Sequence, residues 1–313
     1  MEPVIDTFSG ISAKARRFAR FMRVVIRPVF RYSPLTPVML RLAVVFEWAA
    51  SFVVPVTRDT EVERVDFPGF HGEWIRPPGA DPDKVMLFLH GGGFFCCGLR
   101  THRRLAARIA ERAGVTALSV AYRQLPASPL AVSMADAHHA YTWLVEQGFT
   151  DIVIAGDSAG GFLALTTALT ARDEGQPGPA ALVALSPLVE LDHLGRAEHP
   201  NLKTDAYLPA HRLPKLRTML LAGLDEDPSP ARRDLSGLPP VLIQAGGAEA
   251  LLYDAHLLAA RLCAAGVPHR LQVWEGQLHV FQAFAGPIPE GHAALDEVGA
   301  FLRSATGSGH AAA

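Results

Sequence analysis

Six short apolar runs recur along the chain, and their rhythm limits the fold more than any other feature. They are KVMLFLH (84–90), VTALSVAY (115–122), DIVIAG (151–156), ALVALSP (181–187), PVLIQAG (240–246) and HRLQVWEG (269–276). Between them lie helix-patterned stretches: HRRLAARIAERAG (102–114), DAHHAYTWLVEQG (136–148), AGGFLALTTALTARDEG (159–175) and YDAHLLAARLCAAG (253–266). Several of these helices close on a glycine, as a left-handed C-cap does. Strands apolar on both faces and separated by helices imply a mainly parallel sheet covered on both sides. With 313 residues, 49% of them apolar, the chain has enough core for one large α/β domain or two smaller ones.

Two regions break the rhythm. Residues 11–56 hold helical pattern without strands, and 190–235 is a polar, proline-punctuated insertion with one helix around LPKLRTMLLAG (213–223). Neither has a strand of its own to pack on. Both are therefore expected over the carboxyl edge of the sheet, where α/β sheets bind ligands. The expected organisation is an N-terminal helical cap segment (1–60), a core (61–306) carrying a cap insertion at 190–235, and a flexible tail (307–313).

Charge and cysteine usage exclude other classes. The net charge is −2, which gives no support to a nucleic-acid partner. Three cysteines, two of them adjacent at Cys96 and Cys97, make neither a disulfide framework nor a zinc spacing, and favour a reducing compartment. The N-terminus lacks the charged-then-apolar order of a signal peptide. No run free of Asp, Glu, Lys and Arg exceeds 15 residues, short of the ~18 of a membrane span. A soluble, cytoplasmic protein is expected.

The chemistry centres on one hydroxyl. Directly after DIVIAG and before a helix stands Gly156-Asp157-Ser158-Ala159-Gly160, a G-x-S-x-G. The bare motif is weak, but a sharp strand-to-helix turn would expose the serine at the sheet edge, with small neighbours letting the backbone pass. A hydroxyl is a poor nucleophile: it needs a base, the base an orienting acid, and the oxyanion donors. In hydrolases of this type the order is Ser, then Asp or Glu, then His, each in a loop after a strand. Glu249 follows VLIQAG and His279 follows LQVWEG, so both fall at the carboxyl edge. Upstream, Gly91, Gly92 and Gly93 of HGGGF follow VMLFLH, where a pliant backbone can aim N–H groups at an oxyanion. The phosphate-cradle reading of these glycines fails, because neither G-x-G-x-x-G nor Gly-Lys-Ser/Thr is present.

HGGGF, SVAYRQLPAS, GDSAGG, SPLVEL, DLSGLPPVLIQAG with its acidic loop, and HVFQ together resemble the hormone-sensitive-lipase family of α/β-hydrolase esterases. The resemblance spans about residues 65–305. It implies an α/β-hydrolase fold with a helical cap, and a serine carboxylesterase acting on short to medium acyl esters through an acyl-enzyme. It implies Ser158 as nucleophile, His279 as base and Glu249 as acid. It further implies Gly92, Gly93 and Ala159 as oxyanion donors, His90 ordering the glycine loop with Gly91, and neither metal nor organic cofactor. Lipase, acetyl-group or amide hydrolysis on the same site is an alternative, as is a receptor of the same fold; retention of all three site members argues against the receptor.

The sequence departs from the family pattern in places. Asp-Pro-Leu is usual at the acid, whereas here Glu249-Ala250-Leu251 stands, with Asp254 five residues on as a rival. Tyr122-Arg123-Gln124-Leu125-Pro126-Ala127 lacks the family's closing acid, and Phe162 stands where many relatives carry Asn.

Cys96 and Cys97 read as small apolar packing beside Phe94 and Phe95, in preference to acyl-pocket lining or thiol chemistry. Arg16, Arg20, Arg23, Arg27 and Arg31 form one helical stripe, and Phe18, Met22, Val25 and Val29 another. A cap helix with its charged side in water is preferred to a helix of residues 11–31 lying on an anionic membrane. The stretch 38–54 reads as a buried cap helix. A homodimer is compatible with the sequence.

Overall fold

The computed structural model describes residues 2–32, 36, 59–192, 194–208 and 212–307. The apolar stretch 38–54 and all but the first residue of the tail lie outside the described residues.

The six apolar runs are strands β4 (Asp81–Leu89), β5 (Val115–Ala121), β6 (Asp151–Asp157), β7 (Ala181–Leu185), β8 (Val241–Gly246) and β9 (His269–Trp274). They form the parallel heart of a nine-stranded sheet in the order β1-β9-β8-β7-β6-β4-β5-β3-β2. Burial on both faces explains their unbroken apolar sequence. In β4, Val85, Leu87 and Leu89 pack into one core layer while Met86 and Phe88 pack into the other. The first layer is closed by α4 (Leu130–Glu146), α5 (Ala159–Asp173) and α7 (Leu252–Ala264), the second by α3 (Leu99–Ala113) and α8 (Pro289–Gly307). The expected glycine caps are present: Gly114, Gly148, Gly175 and Gly266 all have positive φ.

The remaining strands are edge strands. β2 (Glu61–Phe67) and β3 (Phe70–Arg76) form an antiparallel hairpin over Pro68-Gly69, and β3 joins β5 antiparallel. At the opposite edge β1 (Ile5–Phe8) runs parallel to β9, with Phe8 stacked on Trp274 at 4.1 Å. This revises the expectation of a purely helical segment over residues 1–60, since the chain begins by extending the core sheet.

After β1, Ser12 caps α1 (Ala13–Phe21) by accepting from the Ala15 N–H at 3.0 Å. A π-turn follows (Met22–Ile26), and then α2 (Arg27–Tyr32). The π-turn overturns the expected double stripe. Its extra residue rotates the register, so Ala15, Phe18 and Met22 face Trp274, Leu278 and Phe281 while Val24, Val25 and Val29 are exposed. Arg27 is drawn out of the arginine stripe toward the body, where Nη2 donates to the Lys203 carbonyl at 2.6 Å.

The 190–235 insertion holds short turns at Leu194–Ala197 and Asn201–Thr204, and α6 (Leu213–Leu221). Among the described residues no helix is long and apolar enough to cross a membrane.

Candidate active site

Strands β4, β6, β7, β8 and β9 are parallel, so the segments after Leu89, Asp157, Leu185, Gly246 and Trp274 emerge at one sheet edge. His90 to Gly93, Ser158, Ala159, Glu249 and His279 all lie on these segments.

At the β6–α5 turn Ser158 has φ +52° and ψ −115°, a conformation costing a non-glycine residue on the order of 1–3 kcal/mol. The flanking glycines explain how the turn is accommodated. A Cβ at Gly160 would lie 1.9 Å from the Leu89 carbonyl oxygen, and one at Gly156 would lie 2.3 Å from that of Gly160. The Ser158 N–H donates to Leu185 O at 2.9 Å, tying the turn to the next strand. Gly160 and Gly156 are thus required by the close approach of two strand ends to the helix start.

The glycine loop is anchored by the residue before the serine. Asp157 Oδ1 accepts from the Gly91 N–H at 3.0 Å, and a Cβ on Gly91 would strike Oδ2 at 2.2 Å. Gly92 has φ +118°, and its carbonyl accepts from the N–H groups of Phe95 and Cys96 and from Cys96 Sγ at 3.1 Å. With the carbonyl turned inward, the N–H groups of Gly92 and Gly93 donate to no described backbone carbonyl, nor does that of Ala159 at the first position of α5. Phe162, at the usual Asn position, meets Phe94 edge-on at 5.5 Å beneath this loop.

His90 is buried, stacked on Tyr122 at 4.3 Å, and its Nδ1–H donates to the Gly91 carbonyl at 2.7 Å. Burial, helped by the nearby His102, holds its pKa down to about 4, so the ring is neutral at pH 7. Tyr122 braces the same point by donating to the His90 carbonyl at 2.7 Å.

His102 was not distinguishable in sequence, being one histidine within an ordinary helix. Its Nε2 lies 3.3 Å from Asp157 Oδ2. Burial opposes its protonation, but the Asp157 charge and hydrogen bond prevail and lift its pKa to about 9. An imidazolium–carboxylate pair thus sits behind the loop. Cys96 and Cys97 are half-buried thiols with their sulfurs 3.9 Å apart, and the Cys96 bond to Gly92 O adds a polar contact to the packing expected of them.

Beyond β8 and β9, Glu249 and His279 meet. Both are buried, and His279 Nδ1 and Glu249 Oε2 share a short hydrogen bond. The second carboxylate oxygen accepts from the Gly246 N–H at 2.6 Å and from Ser186 Oγ at 2.8 Å. Ser186, whose role sequence reasoning missed, also accepts from the Val280 N–H at 3.0 Å, so one side chain pins both loops. Burial pulls the His279 pKa down, but the Glu249 charge and hydrogen bond, with Asp205 and Asp157, raise it above its ordinary value. Among the described residues no hydrogen bond joins His279 to Ser158.

Asp254 is occupied elsewhere. It pairs with the buried Arg196 and accepts from the Val189 and Glu190 N–H groups at 3.0 and 3.3 Å, fastening the insertion to α7. Burial raises its pKa despite these partners.

A mainly parallel sheet with helices on both faces, and a strained serine at the β6–α5 turn, define an α/β hydrolase. The profile of the α/β hydrolase fold matches residues 86–283. Esterase LipU of Mycobacterium tuberculosis is 36% identical over 299 residues, covering 91% of this chain and all of the relative. Carboxylesterase/phospholipase LipF of the same organism is 37% identical over 320 residues, covering 97% of this chain and 85% of the relative. The crystal structure of an esterase from the bacterial hormone-sensitive lipase family superposes with a TM-score of 0.85 at 35% identity, covering 95% of this chain and all of that one. The chain belongs to the hormone-sensitive-lipase family of α/β hydrolases. It is a carboxylic ester hydrolase.

Proposed function

We propose that the enzyme hydrolyses esters of short- to medium-chain carboxylic acids through an acyl-enzyme on Ser158, with His279 as base and Glu249 as the acid that orients it. The observation that carries this reading is the buried Glu249–His279 pair on the loops after β8 and β9, at the same sheet edge as the strained serine.

In this mechanism Glu249 holds Nδ1–H, leaving Nε2 as the free base. Ser158 Oγ attacks the ester carbonyl as its proton passes to Nε2, and the carbonyl π electrons move onto oxygen. The N–H groups of Gly92, Gly93 and Ala159 receive that oxyanion, each worth roughly 2.7–4 kcal/mol by analogy with other hydrolases. The tetrahedral intermediate collapses as the alcohol takes the proton from His279. Water then repeats the sequence on the acyl-enzyme and releases the acid. No metal or organic cofactor takes part.

The 190–235 insertion and the N-terminal residues act as the cap. Contact of α1 with Phe284 at 4.9 Å and of Phe30 with Tyr207 supports a position beside the base-bearing loop. One observation favours a second reading. Val24, Val25 and Val29 are exposed beside Arg20 and Arg23, a basic and apolar surface suited to anionic lipid, and the name of LipF includes phospholipase.

A p-nitrophenyl ester series from acetyl to palmitoyl, with vesicle co-sedimentation at low and high salt, tests both. The proposal expects highest kcat/KM at or below octanoyl and no salt-sensitive vesicle binding. A palmitoyl optimum with salt-sensitive binding would replace it with the lipid reading.

A further inference from the structure

One turn of the insertion is stitched to both loops that carry the proposed acid and base. Asn201 Nδ2 donates to the carbonyl oxygens of Gly247 and Glu249, at 2.9 and 3.1 Å. Asp205, fully buried, accepts from the Ala250 N–H through Oδ2 at 2.7 Å. Through Oδ1 it accepts from Tyr207 N–H at 2.9 Å and Leu208 N–H at 2.8 Å, which folds its own turn around the carboxylate. Tyr207 OH then donates to the His279 carbonyl at 2.6 Å, its ring 5.7 Å from the imidazole. The main chain is therefore held at Glu249, beside it at Ala250, and at His279 itself.

A buried carboxylate is an expensive way to hold a loop, since apolar packing would serve adhesion equally well. Its advantage is geometric: three N–H groups fix its position, and one of them belongs to the residue after Glu249. We propose that Asp205, acting with Asn201 and Tyr207, is a positioning residue of ester hydrolysis that sets the loops of Glu249 and His279 in register and lends its negative charge to the imidazolium formed during the reaction. This rests on the Ser158–His279–Glu249 reading. Glu249, Asp205 and Asp157 are the carboxylates whose charges favour protonation of His279, with the Tyr207 phenol beside it.

The test measures kcat, KM and the pH profile of Asp205→Asn, Tyr207→Phe and Asn201→Ala on p-nitrophenyl butyrate, with folding checked by circular dichroism. Asp205→Asn is expected to lower kcat on the order of 10- to 100-fold at little-changed KM, the penalty of a misplaced base. It should also move the acidic limb of the profile to lower pH, because an anion favouring the imidazolium is gone. Tyr207→Phe should lower kcat and leave that limb in place.

Wild-type kcat in folded Asp205→Asn, or a lower kcat with an unmoved limb, would overturn the proposal, the latter leaving Asp205 as structural support only. Should Asp205→Asn not fold, undiminished kcat in both Tyr207→Phe and Asn201→Ala would overturn it instead. Glu249→Gln separates the two levels. Full activity there sinks the triad reading itself, whereas lost activity there with an unaffected Asp205→Asn sinks only this inference.

Discussion

Replacing Glu249 by glutamine keeps the size of the side chain and removes its ability to accept at both ends. Glu249 accepts three hydrogen bonds: one from His279 Nδ1–H, one from Gly246 N–H and one from Ser186 Oγ–H. A glutamine must aim its NH2 at one of these. Gly246 and Ser186 converge on the same oxygen, so the amide oxygen is best spent there and the NH2 faces His279. Nδ1 must then accept, which shifts the proton to Nε2 and leaves no base toward Ser158. The corresponding amide substitution in a well-studied serine protease lowers kcat about 10⁴-fold, or roughly 5 kcal/mol in barrier, and a loss of 10³–10⁴ is expected here. Asp254→Asn breaks a buried pair with Arg196 in another part of the fold. It should cost about 3–5 kcal/mol of stability and leave kcat within about tenfold. Both variants are assayed as p-nitrophenyl butyrate turnover alongside thermal melts. Glu249→Gln within tenfold of wild type, or the opposite ranking of the two variants, would refute the reasoning.

Two further outcomes follow from the same geometry. In the proposed mechanism the base works unprotonated, and the Glu249 charge outweighs burial to raise the His279 pKa, so activity should fall as pH drops through a midpoint above ~6.5. A midpoint below that value, or a flat profile from about pH 5 to 8, would contradict it. Gly92→Ala would place Cβ 1.9 Å from the Cys96 carbonyl at a φ of +118°, so the loop must move. The expected loss is roughly 10²–10³ in kcat with a near-normal melt, and unimpaired turnover would exclude Gly92 as a donor.

What was legible in the sequence follows burial. Strands β4 to β9 run through the middle of the sheet, so both faces select apolar residues and the runs stand out. β2 reads Glu-Val-Glu-Arg-Val-Asp-Phe with most of its side chains in solvent, and β1 is four residues long, so neither carries a periodic apolar signal. The π-turn at Met22–Ile26 was also invisible, because a single extra residue leaves composition unchanged and shifts only the facing. The positions of Ser158 and His279 at the sheet edge were readable from their places after strands. Glu249 and Asp254 were harder to separate, standing five residues apart after the same strand. Their difference is one of turn geometry: Glu249 lies in the loop facing His279, while Asp254 lies in the first turn of α7 facing Arg196. His102, Ser186 and Asp205 each reach a loop at the sheet edge through a partner 45 or more residues away in sequence, a relation that spacing does not encode.

The proposed nucleophile is the most direct point of attack. Incubation of the intact enzyme with a fluorophosphonate, followed by peptide mass mapping, should yield one adduct per chain, on Ser158. Ser158→Ala should take up no label and lose about 10⁴- to 10⁶-fold in turnover while melting like the wild type. An adduct on any other residue, or an alanine variant that still turns over ester at the wild-type rate, would contradict the assignment of this site.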